Sequence, residues 1–194
     1  MIRTTVGPMF SGKSDHLIGV YTKIWNKNIV MAFKPSNDSR DGLFIKSKNY
    51  KDVAIPAIGI TSLDEIPAKV LESNARTVFI DEAQFLEGDV SVLVDLSVLY
   101  DIDFYIAGLN MTSEQIPFPM MSSILGVSDE VEIISGFCQD CNKPSVYSFS
   151  QNDDKTEMVH VGDDYVSLCP ACLKRRRLDR QKRLSLRGEK KWFT

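Results

Sequence analysis

The sequence has no run of the roughly 18 apolar residues that a membrane-spanning helix needs, so a function carried by transmembrane helices is excluded. It has no internal repeat and no low-complexity segment, which excludes a solenoid or an unstructured array. The opening residues, MIRTTVGPMFSGKS, lack both the positive cluster and the unbroken apolar run of a signal peptide. The chain is therefore read as unexported and cytoplasmic. Cysteine is scarce: there are four, all between Cys138 and Cys172. In an unexported chain, two C-x-x-C pairs indicate metal before disulfide. There are two histidines. His16 falls on the helix after a glycine-containing loop and His160 in a strand-like run, and ordinary packing accounts for both.

What is present is ordinary in amount and uneven in placement. The 194 residues are 43 % hydrophobic and 25 % charged, enough for one good core with a small satellite module. The net charge of −3 conceals a strongly basic tail: residues 174–191 carry +8, leaving −11 on the rest. An acidic body with a basic tail is compatible with nucleic-acid contact. A solvated C-terminal helix ending in a frayed tail is the simpler reading.

Strand and helix alternate through the first 130 residues. Residues 2–6 are β-prone and stop at Gly7, and 13–25 have helical spacing in Leu17, Ile18, Tyr21, Ile24 and Trp25. Residues 29–33 form a second apolar run. Residues 34–52 are polar without period and are read as a mobile loop. Residues 53–58 form a short strand that Pro56 places at an edge. Ser62 and Glu65 make a capping box that opens a helix to about Ser73. Strands at 77–80 and 102–107 flank a helix at 90–100. This alternation predicts an α/β fold, a parallel sheet with helices on both faces. Short β-prone runs at 131–135, 145–149, 156–161 and 165–168, interleaved with the cysteines, predict a small β module. Helix-prone basic sequence starts at Leu173. The expected division is 1–130, 131–173 and 174–194.

Three patterns carry chemistry. Gly7-Pro8-Met9-Phe10-Ser11-Gly12-Lys13-Ser14 fits G-x-x-x-x-G-K-[ST] between a strand and a helix. Glycines let backbone N–H groups turn toward one point, where the next helix N-terminus favours anions. Lys13 then reaches the β- and γ-phosphates and the Ser14 hydroxyl ligates Mg²⁺. Second, the strand Val78-Phe79-Ile80 ends in Asp81, the place for a Mg²⁺-holding carboxylate. Glu82 follows, and neighbours on an extended chain point to opposite sides. One carboxylate can serve the metal while the other acts as general base. Third, Cys138, Cys141, Cys169 and Cys172 offer four sulfurs with no open position, the pattern of a structural Zn²⁺ site.

GPMFSGKS, KPSNDSR, FIDEAQF and the late C-x-x-C pairs, in that order, resemble the zinc-containing thymidine kinases. The likeness runs from about Gly7 to Cys172. It implies a P-loop kinase domain followed by a zinc-ribbon module bearing a lasso loop. It implies a tetramer that transfers the γ-phosphoryl group of ATP to the 5′-hydroxyl of thymidine and of deoxyuridine. It implies feedback by dTTP. Glu82 becomes the base, Asp81 a Mg²⁺ residue and Gln84 a member of the nucleotide set. Arg40 approaches the phosphates and Asp38 orients its loop. Met9, Phe85, Leu109 and Phe118 wall the nucleoside pocket, and Val161, Gly162 and Tyr165 mark the lasso. The chain departs from the pattern in three places. Asn110 replaces a common Asp, Ser113 replaces an aromatic, and the Gly162–Tyr165 stretch is short. Two other classes compete: a P-loop ATPase or nucleic-acid motor, and a non-enzymatic zinc-ribbon nucleic-acid binder, which leaves GPMFSGKS and FIDEAQF idle.

Overall fold

The computed structural model describes residues 1–26, 29–38, 42–47, 49–50, 52–152 and 164–186, with Leu186 described by its backbone alone. Arg40, His160, Val161 and Gly162, and the strand expected at 156–161, lie outside these residues.

In chain order the elements are β1 (Ile2–Val6), α1 (Lys13–Ile24), β2 (Val30–Pro35), β3 (Phe44–Lys46), β4 (Ala54–Pro56), β5 (Ile58–Ile60), α2 (Ile66–Ser73), β6 (Thr77–Ile80), α3 (Ser91–Tyr100), β7 (Asp103–Gly108), α4 (Pro119–Val127), β8 (Glu130–Ile133), β9 (Gly136–Phe137), β10 (Pro144–Ser145), β11 (Tyr147–Ser150), β12 (Tyr165–Leu168) and α5 (Pro170–Leu186). Six strands form one sheet in the order β5-β2-β6-β7-β1-β8, and every pairing in it is parallel. The expected α/β architecture is present.

The complete burial of β6 follows from its central position, because both of its faces are covered. Val78 and Ile80 join Phe33, Phe104 and Ile106 on one side, packed with residues of α2, α3 and α4. Phe79 faces the other way, into a cluster with Leu17, Ile18, Ile45 and Ile55. There its ring stacks on Tyr105 at 5.3 Å and meets the edge of Tyr21 at 5.9 Å. The capping box forms as read: the Ser62 side chain accepts from Asp64 N–H, and Glu65 returns to the Ser62 backbone.

Three elements differ from expectation. The stretch read as a mobile loop contains β3, which pairs antiparallel with β4. Its inward residues Ile45 and Ile55 pack on α1, so a polar run with one buried residue per strand makes a hairpin. The 53–58 run accordingly divides into β4 and the sheet-edge strand β5. The run at 131–135, taken as the start of the β module, begins as β8, which pairs parallel with β1 at the opposite edge of the main sheet. Helix α4 was missed; Phe118 is extended before it and Pro119 opens it, a favourable first-turn position.

The C-terminal part is a pair of hairpins, β9–β10 and β11–β12, closed by α5. Phe149, Val166, Leu168 and Leu173 form a small core there with Cys138, Cys169 and Cys172. No helix among the described residues is long and apolar enough to cross a membrane.

Candidate active site and metal centre

In a parallel sheet all strands end at one edge, and loops gather there. Gly7 follows β1, Asp38 follows β2, Asp81 follows β6 and Leu109 follows β7. Four separate stretches of sequence therefore meet at the carboxyl edge by topology alone.

The Gly7–Ser14 loop has the geometry its composition requires. A Cβ at Gly7 would lie 2.3 Å from the Ile134 carbonyl oxygen. Gly12 caps α1 at φ 88°, a backbone state that L side chains avoid. Phe10 also takes a positive φ of 62° and is exposed. Lys13 is buried, and its Nζ donates to the carbonyls of Gly7 (3.2 Å) and Pro8 (2.7 Å). The Ser11 hydroxyl is buried with no hydrogen-bond partner among the described residues, an acceptor-seeking group inside the loop. Met9 N–H donates to Ser148 Oγ at 2.9 Å. Sequence reasoning missed Ser148, since nothing local marks a serine in β11 as a partner of the loop.

Ser14 Oγ donates to Asp81 Oδ2 at 2.9 Å. Asp81 is buried, and burial together with the charge of Glu82 pushes its carboxyl up to about 6 against the pull of Ser14, the Glu82 N–H and Lys13. A hard cation beside this oxygen pair offsets both causes. Ser14 and Asp81 therefore fit Mg²⁺.

Asp81 and Glu82 are held by different partners, and a turn rather than strand alternation separates them. Glu82 lies at φ 52°, ψ 37°, in a left-handed turn that begins a short 3-10 segment, Ala83–Phe85. Its N–H donates to Asp81 Oδ1 at 3.0 Å, while its Oε2 accepts from Gln84 Nε2 at 2.5 Å. Gln84 is buried, and its Oε1 accepts from Leu109 N–H at 2.9 Å. One amide thus joins the carboxylate to the start of the loop after β7.

The aromatic pair forms: Phe85 and Phe118 meet edge to face at 6.0 Å. Met9, Phe85, Leu109 and Phe118 belong to one apolar cluster. Tyr165 is buried on β12 opposite Ser150, in the hairpin that carries Ser148. Asp38 is held in a buried ion pair, Lys34 Nζ to Asp38 Oδ2 at 3.1 Å, with both side chains under a tenth exposed. Lys34 was legible as the first residue of KPSNDSR, four positions before Asp38, and was not singled out. His16 rests on Glu132 of β8 at 3.3 Å, in keeping with a packing role.

The four cysteines converge. Their sulfurs all lie within 4.8 Å of one another, with Cys141 and Cys169 at 3.6 Å. Tetrahedral Zn²⁺ with bonds of about 2.3 Å sets sulfurs about 3.8 Å apart, so the set fits zinc. The hairpin turn supplies the first knuckle: Asn142 N–H donates to the Cys138 carbonyl at 2.7 Å, at a positive φ of 58°. Burial resists charge on Cys138, but backbone groups of Cys169, Asp140 and Cys141 and the Cys141 thiol outweigh it and bring it to about 6. Burial and the neighbouring thiols push Cys172 up to about 12. A cation at the centre would let all four sulfurs be anionic together. Purified protein is expected to carry about one zinc ion per chain. Elemental analysis after mild chelator washing checks this, and folded, active protein without metal would remove the site.

The basic tail is not simply a solvated helix. Arg175 and Arg176 bind Asp140, in the first knuckle, at 3.0 and 2.6 Å. Arg180 is buried over the Phe149 ring at 4.3 Å. Lys174, Lys182 and Arg183 remain exposed.

Comparison with known proteins agrees with this geometry. Residues 1–173 match the family model described as thymidine kinase. The thymidine kinase of Pseudothermotoga lettingae is 30 % identical over 173 residues, 86 % of this chain and 91 % of that protein. The thymidine kinase of Onion yellows phytoplasma is 34 % identical over 139 residues, 71 % of this chain and 66 % of that protein. With a Gly-x-x-x-x-Gly-Lys-Ser loop, a carboxylate pair and a four-sulfur cluster in the same chain, the match over residues 1–173 decides the matter: the chain belongs to the thymidine kinase family.

Proposed function

We propose that this enzyme transfers the γ-phosphoryl group of ATP to the 5′-hydroxyl of thymidine, and of deoxyuridine, giving the 5′-monophosphate in nucleotide salvage. One observation carries the reading beyond family membership. Adjacent carboxylates at the end of β6 are tied to different partners, Asp81 to the phosphate loop through Ser14 and Glu82 to the β7 loop through Gln84 and Leu109. A phosphoryl donor and an acceptor hydroxyl need that separation of duties.

In this reading the Gly7–Ser14 backbone and Lys13 bind the phosphates, and Arg40 approaches them from the loop that Asp38 orients. Mg²⁺, when bound at Ser14 and Asp81, neutralises charge on the phosphate oxygens. Glu82 accepts the proton of the 5′-hydroxyl. Met9, Phe85, Leu109 and Phe118 hold the nucleoside, with Val161, Gly162 and Tyr165 closing over the base. Zinc at the four cysteines clamps the module within 131–173, and 1–130 supplies the kinase chemistry. A homotetramer, feedback by dTTP and a cytoplasmic location complete the proposal, and membership in the family is their support.

ADP release from ATP and Mg²⁺ is the test, run with a panel of thymidine, deoxyuridine, purine nucleosides and single-stranded DNA. Stimulation by the two pyrimidine nucleosides alone is the expected result. Stimulation by DNA and not by thymidine would favour the ATPase alternative.

A further inference from the structure

The family match ends at residue 173, while α5 continues to Leu186. Two arginines beyond the match, one helical turn apart, reach into the body of the enzyme. Arg177 Nη2 donates to Gln115 Oε1 and, at 3.3 Å, to the Glu114 carbonyl. Arg180 Nη2 donates to the Ser150 carbonyl and, at 3.3 Å, to the Asn152 carbonyl, with its guanidinium over Phe149.

The first target adjoins the apolar cluster at the carboxyl edge, and the second lies on β11, the strand that carries Ser148. Gln115 occupies a tight turn in which Thr112 N–H donates to the Ile116 carbonyl at 2.8 Å and Met111 bridges Pro117. Asn110 accepts from Phe118 N–H at 3.2 Å, so the turn closes directly between Leu109 and Phe118. Gln115 itself has a positive φ of 63°, and its amide donates to the Ser113 carbonyl and, at 3.4 Å, to the Ser148 carbonyl. Ser148 in turn accepts from Met9 N–H of the phosphate loop. Arg180 grips the same β11 strand, at the residue paired with Tyr165.

We infer that Arg177 and Arg180 are positioning residues for the acceptor nucleoside, locking the 112–117 turn and the β11–β12 hairpin into one wall. Guanidinium suits the task. Its planar fork bonds carbonyls and stacks on a ring at once, and little freedom is lost per bond. Without the lock, each piece retains its own fold, but their relative placement loosens. Nucleoside affinity then falls, whereas the phosphate loop and the carboxylates keep their bonds to each other. The inference rests on the proposed acceptor site.

Arg177→Met and Arg180→Met, assayed as zinc-loaded protein, test it. The expected result is a thymidine KM raised about tenfold, with kcat at saturation and the KM for ATP within about twofold. Arg177→Lys keeps a cationic donor and recovers part of the loss. Lys182→Met, on the exposed face of the same helix, leaves all three constants unchanged. Gln115→Ala breaks the same joint from the turn side without touching α5, and the same rise in thymidine KM is expected of it should either methionine variant fail to load zinc. Lower melting temperature with unchanged thymidine KM would overturn the inference, as would kcat and the ATP KM moving together with it. If the unsubstituted protein does not phosphorylate thymidine, the acceptor site itself falls. If it does and these variants bind thymidine normally, this inference alone falls.

Discussion

Lys13→Ala should lower turnover by about 10² to 10³ while the protein stays folded. The Lys13 ammonium is buried in the loop and held by the Gly7 and Pro8 carbonyls. In the proposed reaction that anchoring fixes a positive charge where phosphate oxygens gather negative charge as the terminal bond breaks. Alanine removes the charge and frees two carbonyls, a stability change of about 1–3 kcal/mol. The sheet does not depend on it, because β1 keeps its pairing with β7 and β8. Steady-state kinetics at saturating ATP, with circular dichroism on the same sample, make the comparison. Near-normal turnover would remove the phosphate-loop role.

Glu82→Gln should lower turnover by about 10² or more and leave thymidine binding nearly unchanged. A 5′-hydroxyl is a poor nucleophile, and its proton must leave as the bond to phosphorus forms. Glutamine keeps the size of the side chain and its acceptor for the Gln84 amide, but not its basicity. Tyr165→Ala should do the reverse. Tyr165 is buried on β12, away from the Asp81–Glu82 turn in sequence and held by the hairpin. Losing its ring weakens acceptor binding more than chemistry. Calorimetry and kinetics on both variants make a crossed comparison. Loss of nucleoside binding in Glu82→Gln with turnover at saturation intact would invert the two roles.

The legible parts of the molecule were those set by local pattern. The Gly7–Ser14 loop, the Ser62–Glu65 capping box and the buried run of β6 each declare themselves within a few residues. The strand order could not be read this way. Glu-Val-Glu-Ile of β8 is exposed throughout and has no core face to betray it, and only its long-range pairing with β1 puts it in the main sheet. Hairpin β3–β4 was hidden because three-residue strands are too short to show a period. The separation of Asp81 from Glu82 was expected from an extended backbone and arises from a left-handed turn. Ser148 and Gln115 act through contacts more than 30 residues away in sequence, which no local signal encodes. The tail was read by its charge, and charge does not reveal that Arg180 has a ring and two carbonyls to cover.

The most direct measurement follows the γ-phosphoryl group. ATP labelled at that position is incubated with the protein, Mg²⁺ and thymidine, and the products are separated and identified. The account predicts that the label leaves ATP only when thymidine is present and ends on its 5′-oxygen. Label released as inorganic phosphate at the same rate with and without thymidine would contradict it.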